Sequence, residues 1–132
     1  MTIKGLKHGA DLKAEIKRIC AEEKIETGWF NVVGALEKLS VSFYDQEKKT
    51  YGKFEINEPR EVSSCMGNVS LVDGEIFVHA HINVADVKGA VRGGHLEESV
   101  IFAAEAVIFP SAEIKERVFD SVTGLKLWKE KK

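Results

Sequence analysis

Three of the four histidines fall close together: His79 and His81 in Val78-His79-Ala80-His81-Ile82, and His95 in Arg92-Gly93-Gly94-His95-Leu96. Imidazole is the commonest metal ligand. An HxH pair on a strand turns both rings to one side. A third imidazole brought alongside gives three nitrogens with a fourth position open, the donor set of a catalytic zinc site. The spacing by itself leaves two readings open. One is a divalent metal site, since imidazole suits several such metals. The other is a set of surface or hydrogen-bonding histidines.

Other candidates surround this group. Glu105 interrupts the apolar run Ile101 to Ile108. A carboxylate there is costly unless it is paired, ligated or at an interface, or else it lies on the solvated face of an edge strand. Its functional reading is a fourth ligand, a partner that orients a ligand, or a catalytic general base. Asn83 and Arg92 are candidates for binding a ligand, Arg92 through an anionic group. Their plainer readings are a turn hydrogen bond and a solvated loop charge. Cys20 and Cys65 form no CxxC pair and are expected in the core of a helix and in a strand. There is no GxGxxG, P-loop, GxSxG or HExxH pattern.

The elements that must position these residues are legible as two periodicities. Leu12, Ile16, Ile19 and Cys20 form one apolar stripe of a helix, capped by Asp11 and ending near Lys24, with Glu15 among the residues facing water. From Trp29 onward the period is two. Strands are expected over 29–36, which looks buried throughout, and over 39–44, with Leu39, Val41 and Phe43 on one side. Further strands follow over 50–56, 61–71, 75–84 and 99–109, with a hairpin turn at Asp73-Gly74. On the histidine strand, Ile76, Val78, Ala80, Ile82 and Val84 point one way, and Glu75, Phe77, His79, His81 and Asn83 the other. The segment 85–94 reads as a loop in which Gly93-Gly94 lets the backbone bend tightly before His95. The segment 114–120 reads as a strand or one helical turn, 125–128 as a last short strand, and Lys129 to Lys132 as a frayed tail. One helix and many strands make an α+β fold with a mostly antiparallel, curved or barrel-like sheet. The 132 residues fit one domain, 1–132, with no linker.

Composition narrows the function classes. A net charge of −2 gives no electrostatic case for nucleic acid or acidic membranes. No apolar run is long enough for a transmembrane helix, and Met1-Thr2-Ile3-Lys4-Gly5 has no signal-like character. The expected location is the cytoplasm. The strand over 99–109 carries more apolar surface than one helix covers, which points to a subunit interface.

Several motifs resemble those of one family. Gly9-Ala10-Asp11-Leu12, Val32-Val33-Gly34-Ala35-Leu36, Gly52-Lys53-Phe54-Glu55-Ile56, Met66-Gly67-Asn68-Val69-Ser70, His79-Ala80-His81, Gly93-Gly94-His95-Leu96 and Thr123-Gly124-Leu125 are similar to the pattern of the plants-and-prokaryotes conserved domain. The resemblance implies an α+β homotrimer that contacts a protein partner or a small-molecule ligand. In plants the domain follows AT-hook segments; this chain has no Arg-Gly-Arg-Pro hook, so a DNA-associated regulator is the least favoured reading. More distantly, the arrangement of His79, His81 and His95 resembles the three zinc ligands of acetolactate decarboxylase. That likeness implies zinc as the cofactor and, as an alternative to a binding or regulatory domain, a zinc-dependent enzyme acting on a small carbonyl or carboxylate substrate.

Overall fold

The computed structural model describes residues 1–130. Lys131 and Lys132, the end of the tail expected to be frayed, lie outside the described residues. In chain order the elements are β1 (Thr2–Leu6), α1 (Leu12–Glu22), β2 (Gly28–Asp45), β3 (Thr50–Ile56), β4 (Arg60–Val72), β5 (Glu75–Ala85), β6 (Val91–Pro110), β7 (Arg117–Asp120) and β8 (Leu125–Trp128). The first six strands form one sheet in the order β1-β6-β5-β4-β2-β3, and β6 also pairs with β2. Pairing therefore runs β2–β4–β5–β6 and back to β2, so the sheet is ring-like without being a barrel. Among the described residues the strand pairings are antiparallel. This is the α+β class expected from the two periodicities.

Closing the ring requires long, bent strands. The segments 29–36 and 39–44, expected as two strands, are one strand of 18 residues. Its register against β6 shifts at three places, including Ala35/Leu36 and Leu39/Val41. Such bulges bend a strand and raise its twist. Against β4 the register shifts between Val32 and Gly34; Gly34 has φ 139°, and a Cβ there would lie 2.2 Å from the Ala103 carbonyl oxygen. Only a residue without a side chain permits that approach. The expectation of a buried 29–36 segment fails on one face: Phe30, Val32 and Leu36 are in the core, whereas Trp29 and Val33 are exposed. Phe43 does not join Leu39 and Val41 in the core; it is 74% exposed at the hairpin end of β2.

Helix α1 begins where Asp11 accepts a hydrogen bond from the Ala14 N–H (2.9 Å) with one oxygen and from the Ser99 N–H (2.9 Å) with the other. The cap thus ties the helix start to β6. Leu12, Ile16, Ile19 and Cys20 are buried, as the stripe requires, against β5 and β6. Glu15 is a correction: it is buried rather than solvated. It accepts from the Lys7 N–H (3.0 Å) and from Arg18 Nε (2.9 Å). The Arg18 hydrogen bond leads in holding its carboxyl below the ordinary value. Lys24, with φ 56°, ends the turn beyond the helix. Cys20 and Cys65 are buried and free, and burial pushes their thiols up to about 11 and about 12. Both are therefore thiols rather than thiolates at neutral pH, and poor nucleophiles. The segment 114–120 resolves to strand β7, paired with β8 in a separate two-stranded hairpin.

Candidate metal centre

Strand alternation places the first two histidines. Along β5, Val78, Ala80, Ile82 and Val84 are buried. Phe77, His79, His81 and Asn83 therefore occupy the face away from the helix. The third histidine arrives by pairing: β6 runs antiparallel to β5 with His81 opposite His95 and Asn83 opposite Gly93. Directly opposed residues share a face with Cβ atoms roughly 5 Å apart.

The expected loop over 85–94 is shorter than the sequence suggests, because β6 already starts at Val91. Asp86 turns the chain, its Oδ1 accepting from the Lys88 and Ala90 N–H groups (2.8 and 3.0 Å), with Gly89 at φ 79°. Gly93 and Gly94 lie inside the strand and do not make the bend. They serve close approach instead. A Cβ on Gly93 would stand 2.2 Å from the Ile82 carbonyl oxygen, and one on Gly94 2.8 Å from that of Ser42.

The three imidazoles converge. Ring centroids are 5.0 Å apart for His79–His81, 5.0 Å for His79–His95 and 5.5 Å for His81–His95. One ring nitrogen from each lies within 4.8 Å of the others. Tetrahedral zinc, with Zn–N about 2.0–2.1 Å, holds such nitrogens about 3.4 Å apart. Movements of about 1 Å or less per ring close the difference. Among the described residues, the side chains of His79 and His81 make no hydrogen bond to protein. Burial holds His79 well below its ordinary value, at about 4, and His95, Arg117 and His81 add to the effect. Burial also lowers His95, against the opposing pull of Glu97. Imidazoles with free lone pairs, packed together with the Glu97 carboxylate beside His95, fit a divalent cation. The donor set is nitrogen only, with no thiolate.

A cavity of about 780 Å³ opens beside the triad. Tyr51 stands with its ring 5.2 Å from His95. The Glu97 carboxylate is 3.9 Å from His95 Nε2 and accepts from the Ser42 hydroxyl. Arg117, reaching over from β7, donates to Asn68 Oδ1 (2.8 Å) and Ser70 Oγ (2.9 Å).

The other sequence candidates lie elsewhere. Glu105 is on β6 ten residues beyond His95, exposed, opposite Gly5 of β1 and Val33 of β2. It does not line the cavity, so within this chain it has no reach to the triad as ligand or base. Asn83 shares the histidine face, but its amide donates to Ser64 Oγ (3.1 Å). Arg92, opposite Val84, points to the other face, where its guanidinium lies 4.9 Å from the Phe54 ring centroid. The charged groups beside the triad are instead Glu97 and Arg117. Strand alternation contained a signal for Glu97, two residues after His95. Nothing local in the sequence marks Arg117, because only the docking of the β7–β8 hairpin brings it in.

Residues 3–112 match the model of the Plants and Prokaryotes Conserved domain. Solved structures give the same picture. A metal-containing protein from Archaeoglobus fulgidus is 40% identical, with a TM-score of 0.93 over 98% of this chain and 92% of its own. A plant- and prokaryote-conserved protein from Pyrococcus horikoshii is 38% identical, with a TM-score of 0.92 over 99% of this chain and 92% of its own. Acetolactate decarboxylase from Bacillus subtilis shares the fold alone, at 12% identity and a TM-score of 0.62 over 89% of this chain and 55% of its own. Among curated proteins, the bifunctional protein GlmU of two Synechococcus strains is 32% identical over 120 residues, 88% of this chain; the chain spans only 18% of that protein's length. With a family model covering most of its length and full-length structural relatives near 40% identity, the chain belongs to the Plants and Prokaryotes Conserved domain family.

Proposed function

We propose that this protein is a homotrimeric metal-binding domain whose His79, His81 and His95 hold one zinc ion per chain and present its open position to a ligand in the adjoining cavity. The observation that carries this reading is the convergence of three imidazole nitrogens within 4.8 Å at the cavity wall. The metal-containing relative from Archaeoglobus fulgidus supports it. Nitrogen-only donors and three protein ligands favour zinc with an exchangeable fourth position. The trimer is supported by apolar side chains on the uncovered face of the sheet, Ile3, Trp29, Val33 and Met66, each exposed by 46% or more. Large apolar side chains gathered on one exposed face mark an interaction surface.

A second reading, a zinc-dependent enzyme acting on a small carbonyl or carboxylate compound, is favoured by the open cavity and by Glu97. A zinc ion with an open position polarises a carbonyl or activates water. Glu97, close to His95, is the carboxylate placed to accept or return a proton; Glu105 is not.

Metal analysis of the purified protein tests the first reading. About one divalent metal per chain is expected, and His79→Ala or His95→Ala removes it while the circular dichroism stays that of the folded protein. Unchanged metal content in both variants sinks the site. Isotope-labelled candidate carbonyl compounds, incubated with the zinc-loaded protein and with Glu97→Gln, test the second.

A further inference from the structure

Arg117 is a cation in an unusual setting. Its guanidinium is half-buried, and its partners are neutral: Ser70 Oγ (2.9 Å), Asn68 Oδ1 (2.8 Å) and the Lys126 carbonyl oxygen (3.0 Å). Its flat faces lie against Phe77 and Trp128, with the guanidinium carbon 5.5 Å from each ring centroid. Among the described residues no carboxylate pairs with it. A guanidinium carries five N–H donors. Three atoms are engaged, one bond each, which leaves two donors without protein acceptors. The energetic cost of withdrawing a charge from water is offset only by an opposite charge or by full hydrogen bonding.

The place where this cation lies is decided by register. Asn68 stands opposite His79, and Ser70 opposite Phe77. Holding both Asn68 and Ser70, Arg117 is therefore one strand away from the histidines on the same face. Both it and the triad line the same cavity. The other charged groups there are already committed. Glu97 is bonded to Ser42 and close to His95, and Lys126 is 3.8 Å from Asp73. Apart from Ser42 and Gln46, the remaining side chains of the wall are apolar or aromatic, Phe43, Tyr44, Tyr51 and Phe77 among them.

We propose that this cavity receives a small carboxylate with an aromatic or bulky apolar body, its carboxylate held by the free edge of Arg117 and its body against the aromatic wall. The inference rests on the metal reading only for its strength, since a dication at the triad adds positive charge to the same space. A planar guanidinium edge matches a planar carboxylate through two parallel hydrogen bonds. The uncompensated charge selects an anion, and the aromatic lining selects against a small, strongly hydrated one such as inorganic phosphate.

Isothermal titration calorimetry on the full, zinc-loaded chain tests this with phenylacetate, with its neutral counterpart phenylacetamide, and with inorganic phosphate. Phenylacetate is expected to bind at least tenfold more tightly than either. Arg117→Gln is expected to erase that preference while metal content stays unchanged. Equal binding of acid and amide overturns the proposal, as does an unaltered preference in Arg117→Gln; tighter binding of phosphate overturns the carboxylate assignment. Because Arg117 also pins the β7–β8 hairpin, Tyr51→Ala provides an independent variant, expected to weaken phenylacetate and leave phosphate unchanged. His79→Ala protein separates the two readings. There, a persisting preference for the acid keeps this proposal standing even if no metal binds the triad, and a metal-loaded protein without the preference ends it while leaving the metal site intact.

Discussion

At the scale of single residues, the decisive property of the triad is that its imidazoles converge while burial disfavours the charged form of His79 and His95. Burial keeps His79 at about 4, below its ordinary value of 6.5. The folded metal-free protein therefore binds fewer protons than the unfolded chain wherever the pH lies between those values. The stability this group contributes is fully present above about pH 6.5 and is lost as the pH falls towards 4. Thermal unfolding of metal-free protein at a series of pH values should show this decline, and His79→Phe should flatten it. An unchanged slope in that variant places the titrating group elsewhere. Protons and metal compete for the same lone pairs, so metal release should follow the same direction. Gly67 shows a different kind of residue-level constraint: a Cβ there would lie 2.4 Å from the Phe30 ring. The core aromatic occupies the space that glycine leaves.

At the scale of elements, the site is a property of the β5–β6 pairing more than of any loop. His95 meets His81 because the two strands run in unbroken register from Ala85–Val91 to His81–His95. The tight packing at Gly93, where a Cβ would also come 2.3 Å from Asn83 Oδ1, secures that register. Gly93→Ala should force the strands apart, costing about 1–3 kcal/mol, and should weaken metal binding by roughly tenfold or more through displacement of His95. Denaturant unfolding and competition with a chelator measure the two effects. Loss of stability with unaltered metal affinity would show that His95 is positioned independently of the glycine. The β7–β8 hairpin contributes at the same scale. It is short and shares few contacts with the sheet, yet it covers Ser70 and delivers Arg117 to the cavity.

At the scale of the whole molecule, one helix covers one face of a ring-like sheet and leaves the other face partly bare. Ile3, Val107, Asn31 and Met66 follow one another across β1, β6, β2 and β4, and the same row continues to His81. Val33 and Glu105 lie opposite each other in the neighbouring row. In the proposed trimer this surface is covered. Light scattering should give about three chain masses, and Val33→Glu, which adds a charge beside Glu105, should shift the protein towards monomer without loss of its secondary structure. A wild-type monomer at micromolar concentration would remove the trimer. A trimer that persists in Val33→Glu would move the interface to another face.

How much of this was legible in the chain differs from residue to residue, for physical reasons. Side-chain alternation is local, so the order of residues alone is enough for the inward set Val78, Ala80, Ile82 and Val84, the outward pair His79 and His81, and the buried stripe of α1. The turn at Asp73-Gly74 was equally local, with both residues at positive φ, 51° and 79°. Glu15 escaped this reasoning because its burial depends on the Lys7 N–H that meets it from another segment. Glu105 drew attention as a charge in an apolar run, but the run is half-exposed because one helix cannot cover both faces of the sheet. Gly93-Gly94 suggested a bend, while the fold uses those residues for strand contact. Arg117 and Glu97 show the limit most clearly. Which charge stands beside the histidines depends on pairings between residues far apart in sequence, which the folded chain alone brings about.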